Sequence, residues 1–283
     1  MGADRLIFMP DRSGMAVSII LKLEAEGVKA ELAEFNPIGK MTDTVRFARL
    51  MKEMDVGCVV AMGGDGTSRA VSKEIGDIPL MPISSGTNNA YPYMAEGTAA
   101  GIAAAGVASG KYSLEECCIR DKRIEVYVND ELRDIALVDA VVTRIGFVGA
   151  KAVQNIDDVT AIVATRCNPH SIGFSGIVGT KCIVSDRDNY GVAIELHKGE
   201  AHIAPFTSGI LGTLKSSAPA IINEGEAYSV TVDHAGSVAL DGEREIIFGP
   251  GDRLSLKVCR NGPRRILIEK TCATMMHGGA FSL

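Results

Sequence analysis

Gly63-Gly64-Asp65-Gly66-Thr67 stands between a continuous apolar run, Cys58-Val59-Val60-Ala61-Met62, and a stretch of helical period. A helix that begins where a buried strand ends presents unpaired N–H groups and a partial positive charge, which suits a phosphate. Three glycines in four residues permit positive φ and close approach of a ligand to the backbone, and Thr67 is placed to cap the helix. Asp65 is the odd residue in such a cradle. A carboxylate repels phosphate unless it binds Mg²⁺, accepts a proton from an attacking hydroxyl, or bonds a ribose hydroxyl. Without a ligand the segment reads as a tight strand-to-helix turn with Asp65 as a cap.

A second small, polar segment, Ser84-Ser85-Gly86-Thr87-Asn88-Asn89, follows the next apolar run. In open α/β sheets ligands bind outside the carboxyl ends of the strands, so the two loops are expected to open on one rim. Gly63, Gly64, Gly66, Thr67, Ser85, Gly86, Thr87, Asn88 and Asn89 are therefore the nucleotide-binding candidates, and the Asn amides can pair with phosphate or ribose. A third segment, Leu240-Asp241-Gly242-Glu243, reads by itself as a hairpin turn. Neither G-x-x-x-x-G-K-[ST] nor G-x-G-x-x-G occurs, so the common P-loop and dinucleotide fingerprints do not apply. Arg69 and Lys73, at i and i+4, either balance phosphate charge or form a solvated helix face. His197 and His202 lie five apart and no His neighbours a good Ser or Cys nucleophile, which disfavours a zinc site or a catalytic triad.

The elements that must hold these loops follow from the patterning. Residues 5–84 alternate short aliphatic runs with amphipathic ones: strands at 6–9 and 28–35, helices at 14–26, 42–54 and 67–75, as in βαβ units. The run at 58–62 predicts a parallel strand covered on both faces. The run at 78–83 contains Pro79 and Pro82 and predicts a strand that is short or near an edge. Residues 96–109 predict a helix ended by Gly110. Beyond Tyr112 the period changes to two, with strands expected at 123–128, 132–143, 191–196, 228–232 and 254–258 and a turn at Asn129-Asp130. The expected organisation is an α/β nucleotide-binding domain at 1–112 and a β-rich acceptor-binding domain at 113–283.

With a net charge of −6 and 5% aromatic residues, the chain has neither the basic surface nor the stacking platforms of a nucleic-acid binder. No apolar run reaches the roughly 20 residues that span a bilayer, and no signal-peptide layout opens the sequence, so a cytoplasmic location is expected. The seven Cys are odd in number and form no C-x-x-C pair, as expected of reduced core thiols.

Gly63–Thr67, Ser85–Asn89 and Asp241–Glu243, in this order, resemble the superfamily that joins NAD kinases with diacylglycerol and sphingosine kinases. The stretch Pro82-Ile83-Ser84-Ser85-Gly86-Thr87-Asn88-Asn89-Ala90-Tyr91-Pro92 is similar to the ATP-NAD-kinase-like acetoin catabolism protein X family, and the resemblance covers nearly the whole chain. It implies a three-layer α/β domain with a parallel sheet, a β-sandwich-like second domain, a C-terminal tail that returns to the first domain, and an acceptor site between the two. It also implies ATP as donor with Mg²⁺, NAD as a substrate, a small-molecule nucleotide as partner, homo-oligomers, and Asp65 as the catalytic residue beside the acceptor hydroxyl.

Three departures concern the acceptor. Where NAD kinases carry an Asn-Glu pair, the sequence reads Leu137-Val138-Asp139-Ala140; the G-S-T-A-Y segment is replaced by the small residues of 171–179; and Asp241-Gly242-Glu243 is nearer the lipid-kinase form. Asp139, Asp241 and Glu243 are the acceptor or metal-shell candidates. The expected function is an ATP-dependent phosphotransferase acting on a hydroxyl, with NAD to NADP first. The alternatives are a lipid or small-polyol kinase and a non-catalytic nucleotide sensor linked to acetoin catabolism.

Overall fold

The computed structural model describes residues 3–146, 155–207 and 209–282, apart from the side chains of residues 244 and 245. Its first part runs β1 (Leu6–Phe8), α1 (Met15–Ala25), β2 (Ala30–Leu32), α2 (Thr42–Glu53), β3 (Val59–Gly63), α3 (Asp65–Ser72), β4 (Leu80–Ser84) and α4 (Gly97–Ala108). Local chemistry fixes several of these boundaries. Glu96 caps α4 by accepting the Ala99 N–H, and Gly110, at φ +67°, takes the left-handed conformation that ends it.

The second part contains α5 (Leu114–Cys117), β5 (Cys118–Arg120), β6 (Arg123–Val128), β7 (Glu131–Ala136), β8 (Asp139–Thr143), β9 (Val159–Ala164), α6 (Phe174–Gly179) and β10 (Tyr190–Thr207). It continues through β11 (Ile210–Ser216), β12 (Ala220–Asn223), β13 (Ala227–Thr231), β14 (Gly236–Leu240), β15 (Glu243–Phe248), β16 (Arg253–Cys259), β17 (Arg264–Ile266) and α7 (Ile268–His277). One antiparallel sheet has the order β11-β10-β9-β8-β14-β15, with β12 also on β10, and a second has the order β13-β16-β6-β7. Alternate residues of both sheets, such as Ile124, Val126, Val142, Val163, Val238, Leu254 and Leu256, share one core, so this part is a β-sandwich. The Asn129-Asp130 turn has φ +52° and +69°, the two left-handed residues that a tight hairpin requires. The period-two stretch expected at 132–143 divides into β7 and β8, with Leu137 and Val138 between them.

The α/β part is layered. Its sheet has the order β3-β4-β17-β5, with β3, β4 and β17 parallel and β5 antiparallel to β17. Ala48 of α2 and Val71 of α3 pack on one face, and Ala100, Ala103 and Val107 of α4 on the other, where α7 packs against α4. β17 and α7 thus bring the end of the chain into this sheet.

One strand reading is corrected and one is met. β3 is not covered on both faces: Ala61 packs beside Ala48 of α2 and Val71 of α3, but Val60 is 53% and Met62 69% exposed. β4 is short, as expected, and lies next to the edge strand β3, with β17 on its other side. Pro82 is tolerated because pairing with β17 involves only Leu80; further along, the Pro82 carbonyl accepts the Tyr93 N–H on the side where the missing N–H would point. Among the described residues, no helix is long and apolar enough to cross a membrane.

Candidate active site

The β3–α3 junction, the loop after β4 and the β14–β15 turn meet at a cavity of about 430 Å³ between the two parts. Asp65, Asn88 and Ala90 line it from the α/β side. Asp139, Asp241, Gly242, the segment Ile172-Gly173-Phe174-Ser175, Phe206 and Thr207 line it from the sandwich.

Asp65 is the first residue of α3. Its carboxylate turns toward the other loop, where Oδ1 accepts the N–H groups of Ala90 at 3.1 Å and Tyr91 at 2.8 Å, and Oδ2 is 3.1 Å from the Ala90 nitrogen. It therefore joins the two loops rather than capping its own helix. Burial holds its pKa above the usual carboxylate range, and the Tyr91 and Ala90 N–H groups and the Arg166 charge pull in the opposite direction.

The glycines before it serve proximity, not left-handed backbone, for neither Gly63, Gly64 nor Gly66 has positive φ. A Cβ on Gly63 would lie 2.4 Å from Thr67 Oγ1, and one on Gly64 would lie 2.9 Å from Asn89 Oδ1. Thr67 is correspondingly no cap: it lies inside α3, turned back over Gly63, and the Gly64 N-cap position receives no side-chain bond. In the second loop Asn88 reaches the cavity, while Asn89 Nδ2 donates to Ser84 Oγ at 2.7 Å and braces the turn. Ser85, Gly86 and Thr87 are exposed and do not line the cavity.

Asp241 and Gly242, at φ +49° and +84°, form the two-residue turn between β14 and β15. The Asp241 carboxylate is fully buried, and its Oδ1 accepts from the N–H groups of Leu137 at 3.1 Å, Val138 at 2.8 Å and Asp139 at 3.3 Å. Arg69 lies against it, with Nε 3.6 Å from Asp241 Oδ2, Nη1 3.3 Å from Asp134 and Nη2 3.8 Å from Glu243. Arg69 is 2% exposed and so is no part of a solvated face, while Lys73 is exposed and reaches Asp134 at 2.7 Å; both fasten α3 to the sandwich. Burial pushes Asp241 to about 6 despite Arg69, with Asp65 adding to the rise.

Asp139, 6% exposed, lines the cavity, and its Oδ1 has no hydrogen-bond partner among the described residues. Burial, then the charges of Asp241 and Asp65, holds its pKa well above the usual range. Val138 does not leave a gap in the cavity wall. Its side chain is 1% exposed and packs with Leu137 into the α/β core, beside Ala48, Ile75 and Leu80.

Several residues of the region carry no sequence signal. Phe206 and Thr207 come from the far end of the long strand β10, and Arg166 and Asp121 are brought beside Tyr91 only by the tertiary fold. The small-residue run at 171–179 was a usable signal, and it places Gly173, Phe174 and Ser175 at the wall.

Comparison with known proteins follows the same division. Residues 4–112 match the model of the ATP-NAD kinase N-terminal domain, and residues 122–261 that of the acetoin catabolism protein X C-terminal domain. The crystal structure of yeast NADH kinase complexed with NADH has the same fold, with a TM-score of 0.51 at 14% identity, covering 99% of this chain and 88% of that one. Similarity to the acetoin catabolism protein X of Cupriavidus necator is much greater: 35% identity over 296 aligned positions, covering all of this chain and 81% of that protein. Likeness of that extent reaches beyond a shared NAD kinase-like fold, and the chain belongs to the acetoin catabolism protein X family.

Proposed function

We propose that the chain is an ATP-dependent phosphotransferase that acts on a hydroxyl, with NAD as the first acceptor to be tested and NADP as its product. The observation that carries this reading is Asp65, whose carboxylate is held by two main-chain amides on the cavity wall at the start of a helix. The N-terminus of α3 and the close-packed Gly63 and Gly64 offer backbone to the phosphates of a nucleotide. Asp65 faces the acceptor hydroxyl. As the hydroxyl oxygen bonds to the γ-phosphorus, the bond to the β,γ-bridging oxygen breaks, ADP leaves, and the hydroxyl proton passes to the Asp65 carboxylate. Because this transition state is loose, positioning and charge compensation suffice, and a weak base such as a carboxylate is adequate.

In this reading residues 1–112 bind the nucleotide and residues 113–283 bind the acceptor, with Asp139 Oδ1 accepting a hydrogen bond from it. Mg²⁺ keeps several waters and uses one or two carboxylates plus phosphates, and the buried Asp139 Oδ1, without a hydrogen-bond partner among the described residues, offers such an oxygen at the cavity. Asp65 and Asp139, both on the cavity wall, are the carboxylates that would hold it, and the ion would neutralise phosphate charge. The protein works in the cytoplasm as a homo-oligomer.

A lipid or polyol acceptor is the second reading. Ile172, Phe174 and Phe206 give the cavity an apolar side suited to such a molecule. An ADP-release panel with NAD, NADH, diacylglycerol, sphingosine and small polyols distinguishes these acceptors. ATP and Mg²⁺ with NAD that yield no NADP would refute the NAD reading, and nucleotide binding without ADP release from any acceptor would make the protein a sensor.

A further inference from the structure

Tyr91 connects two sites. Its main-chain N–H donates to Asp65 Oδ1 at 2.8 Å, and its phenol O–H donates to Asp121 Oδ2 at 2.7 Å. Tyr91 is 2% exposed and Asp121 fully buried. Asp121 is held from two other segments: Arg265 of β17 donates Nε to Oδ2 at 2.7 Å and Nη2 to Oδ1 at 3.2 Å, and Arg166, just after β9, donates Nη2 to Oδ1 at 3.2 Å. The Arg166 guanidinium also lies over the Tyr91 ring, 4.8 Å from its centroid.

The charge states are settled by the surroundings. Burial, then the Asp121 charge, raises the Tyr91 pKa well above its usual value, so the phenol keeps its proton. Burial pushes Asp121 up, but the two guanidinium groups outweigh it and hold the carboxylate ionised. The bond between them is a charge-assisted O–H···O⁻ bond in a buried setting, among the stronger hydrogen bonds a protein makes. None of Tyr91, Asp121, Arg166 and Arg265 lines the cavity, yet Asp65 is bonded to the main chain of the residue they grip.

We infer that Tyr91 is a positioning residue for Asp65: the Asp121–Arg166–Arg265 cluster fixes its ring, and its main-chain N–H in turn sets where the Asp65 carboxylate points. The tie itself rests on geometry, and its kinetic consequence rests on the phosphotransferase reading. The other charged groups that act on Asp65 are Arg166, Asp139 and Asp241, and the substitutions below leave all three in place.

Tyr91→Phe keeps the ring and its cation–π contact and removes only the O–H. Asp121→Asn keeps the volume and an acceptor while removing the charge. In both, kcat is expected to fall about tenfold with KM for ATP within about twofold, because a misplaced catalytic group costs rate and not nucleotide binding. In the same proteins without substrate, the Asp65 carboxyl ¹³C resonance, recognised by its loss in Asp65→Asn, is expected to shift. An unmoved resonance in Tyr91→Phe overturns the inference, whether or not kcat falls, since loss of rate alone would mark a structural role. A shifted resonance with unchanged kcat overturns it as well. If wild-type protein transfers phosphate to no acceptor, the phosphotransferase reading fails while the resonance still decides the tie. Should Asp121→Asn not fold, Tyr91→Phe carries the test.

Discussion

Asp65 and Asp241 occupy similar local settings. Each is followed by glycine, each lines the same cavity, and each accepts main-chain N–H groups from a segment remote in sequence. They differ in what surrounds the rest of the carboxylate. Asp241 is enclosed: backbone amides of Leu137, Val138 and Asp139 lie on one side and Arg69 on the other, so its side chain has no exposed surface. Asp65 has two amides, no direct ion pair among the described residues, and a face toward the cavity. The same Asp-Gly pair is thus a fastener where a guanidinium closes the shell, and where the shell is left open it suits the reactive role we propose for Asp65.

The sharpest way to break this contrast is Asp65→Asn. The amide keeps an oxygen for the Ala90 and Tyr91 N–H groups but accepts no proton, so phosphate transfer is expected to fall about 10³-fold, the scale of a lost general base. The melting temperature should stay within about 3 °C, since a change under about 1 kcal/mol moves a chain of this size little. ADP release and a thermal melt measure the two. A large loss of stability would make Asp65 a fastener like Asp241.

Arg69→Met tests the opposite pole. Removing the guanidinium leaves Asp241, with no side-chain exposure, without its cation, and unfolding in urea should show a loss of about 3 kcal/mol, the scale of a broken buried pair. Part of that loss should disappear in the double variant Arg69→Met, Asp241→Asn, because the two groups are in contact. At Asp65 the corresponding experiment is the pH profile. Its pKa in the ligand-free protein lies above the usual carboxylate range, so the form able to accept a proton is lost as pH falls through that raised value, and the acid limb of kcat/KM should lie above the range of an exposed carboxylate.

The sequence made the loops legible because glycine, aspartate and the strand-to-helix change are local features. Gly63–Thr67 and Asp241–Glu243 could be found by eye, and so could the two-part organisation and the hairpin at Asn129-Asp130. What stayed hidden depended on long-range packing. Arg69 and Lys73 fit a solvated helix face equally well until Asp134 and Asp241 arrive from the sandwich. That the Val138 side chain belongs to the α/β core could not be read from its place in the sequence. The glycines were legible as a requirement and illegible as to its kind, for positive φ and close approach select the same residue.

That last ambiguity gives the smallest test. Gly66 and Gly242 each follow one of the two aspartates. A Cβ at Gly66 would meet the Glu243 carboxyl at an ordinary 3.7 Å, on a backbone with negative φ, inside α3. Gly66→Ala should therefore leave stability unchanged or raise it by about 0.5 kcal/mol through helix propensity, while hindering phosphate at the helix start and raising KM for ATP. A Cβ at Gly242 meets nothing within 4 Å, but φ is +84°, so Gly242→Ala should cost about 1 kcal/mol in backbone strain. If its KM for ATP also stays unchanged, the open shell around Asp65 and the closed one around Asp241 differ in their glycines as well: one is small so that a ligand can reach the backbone, the other so that the chain can turn.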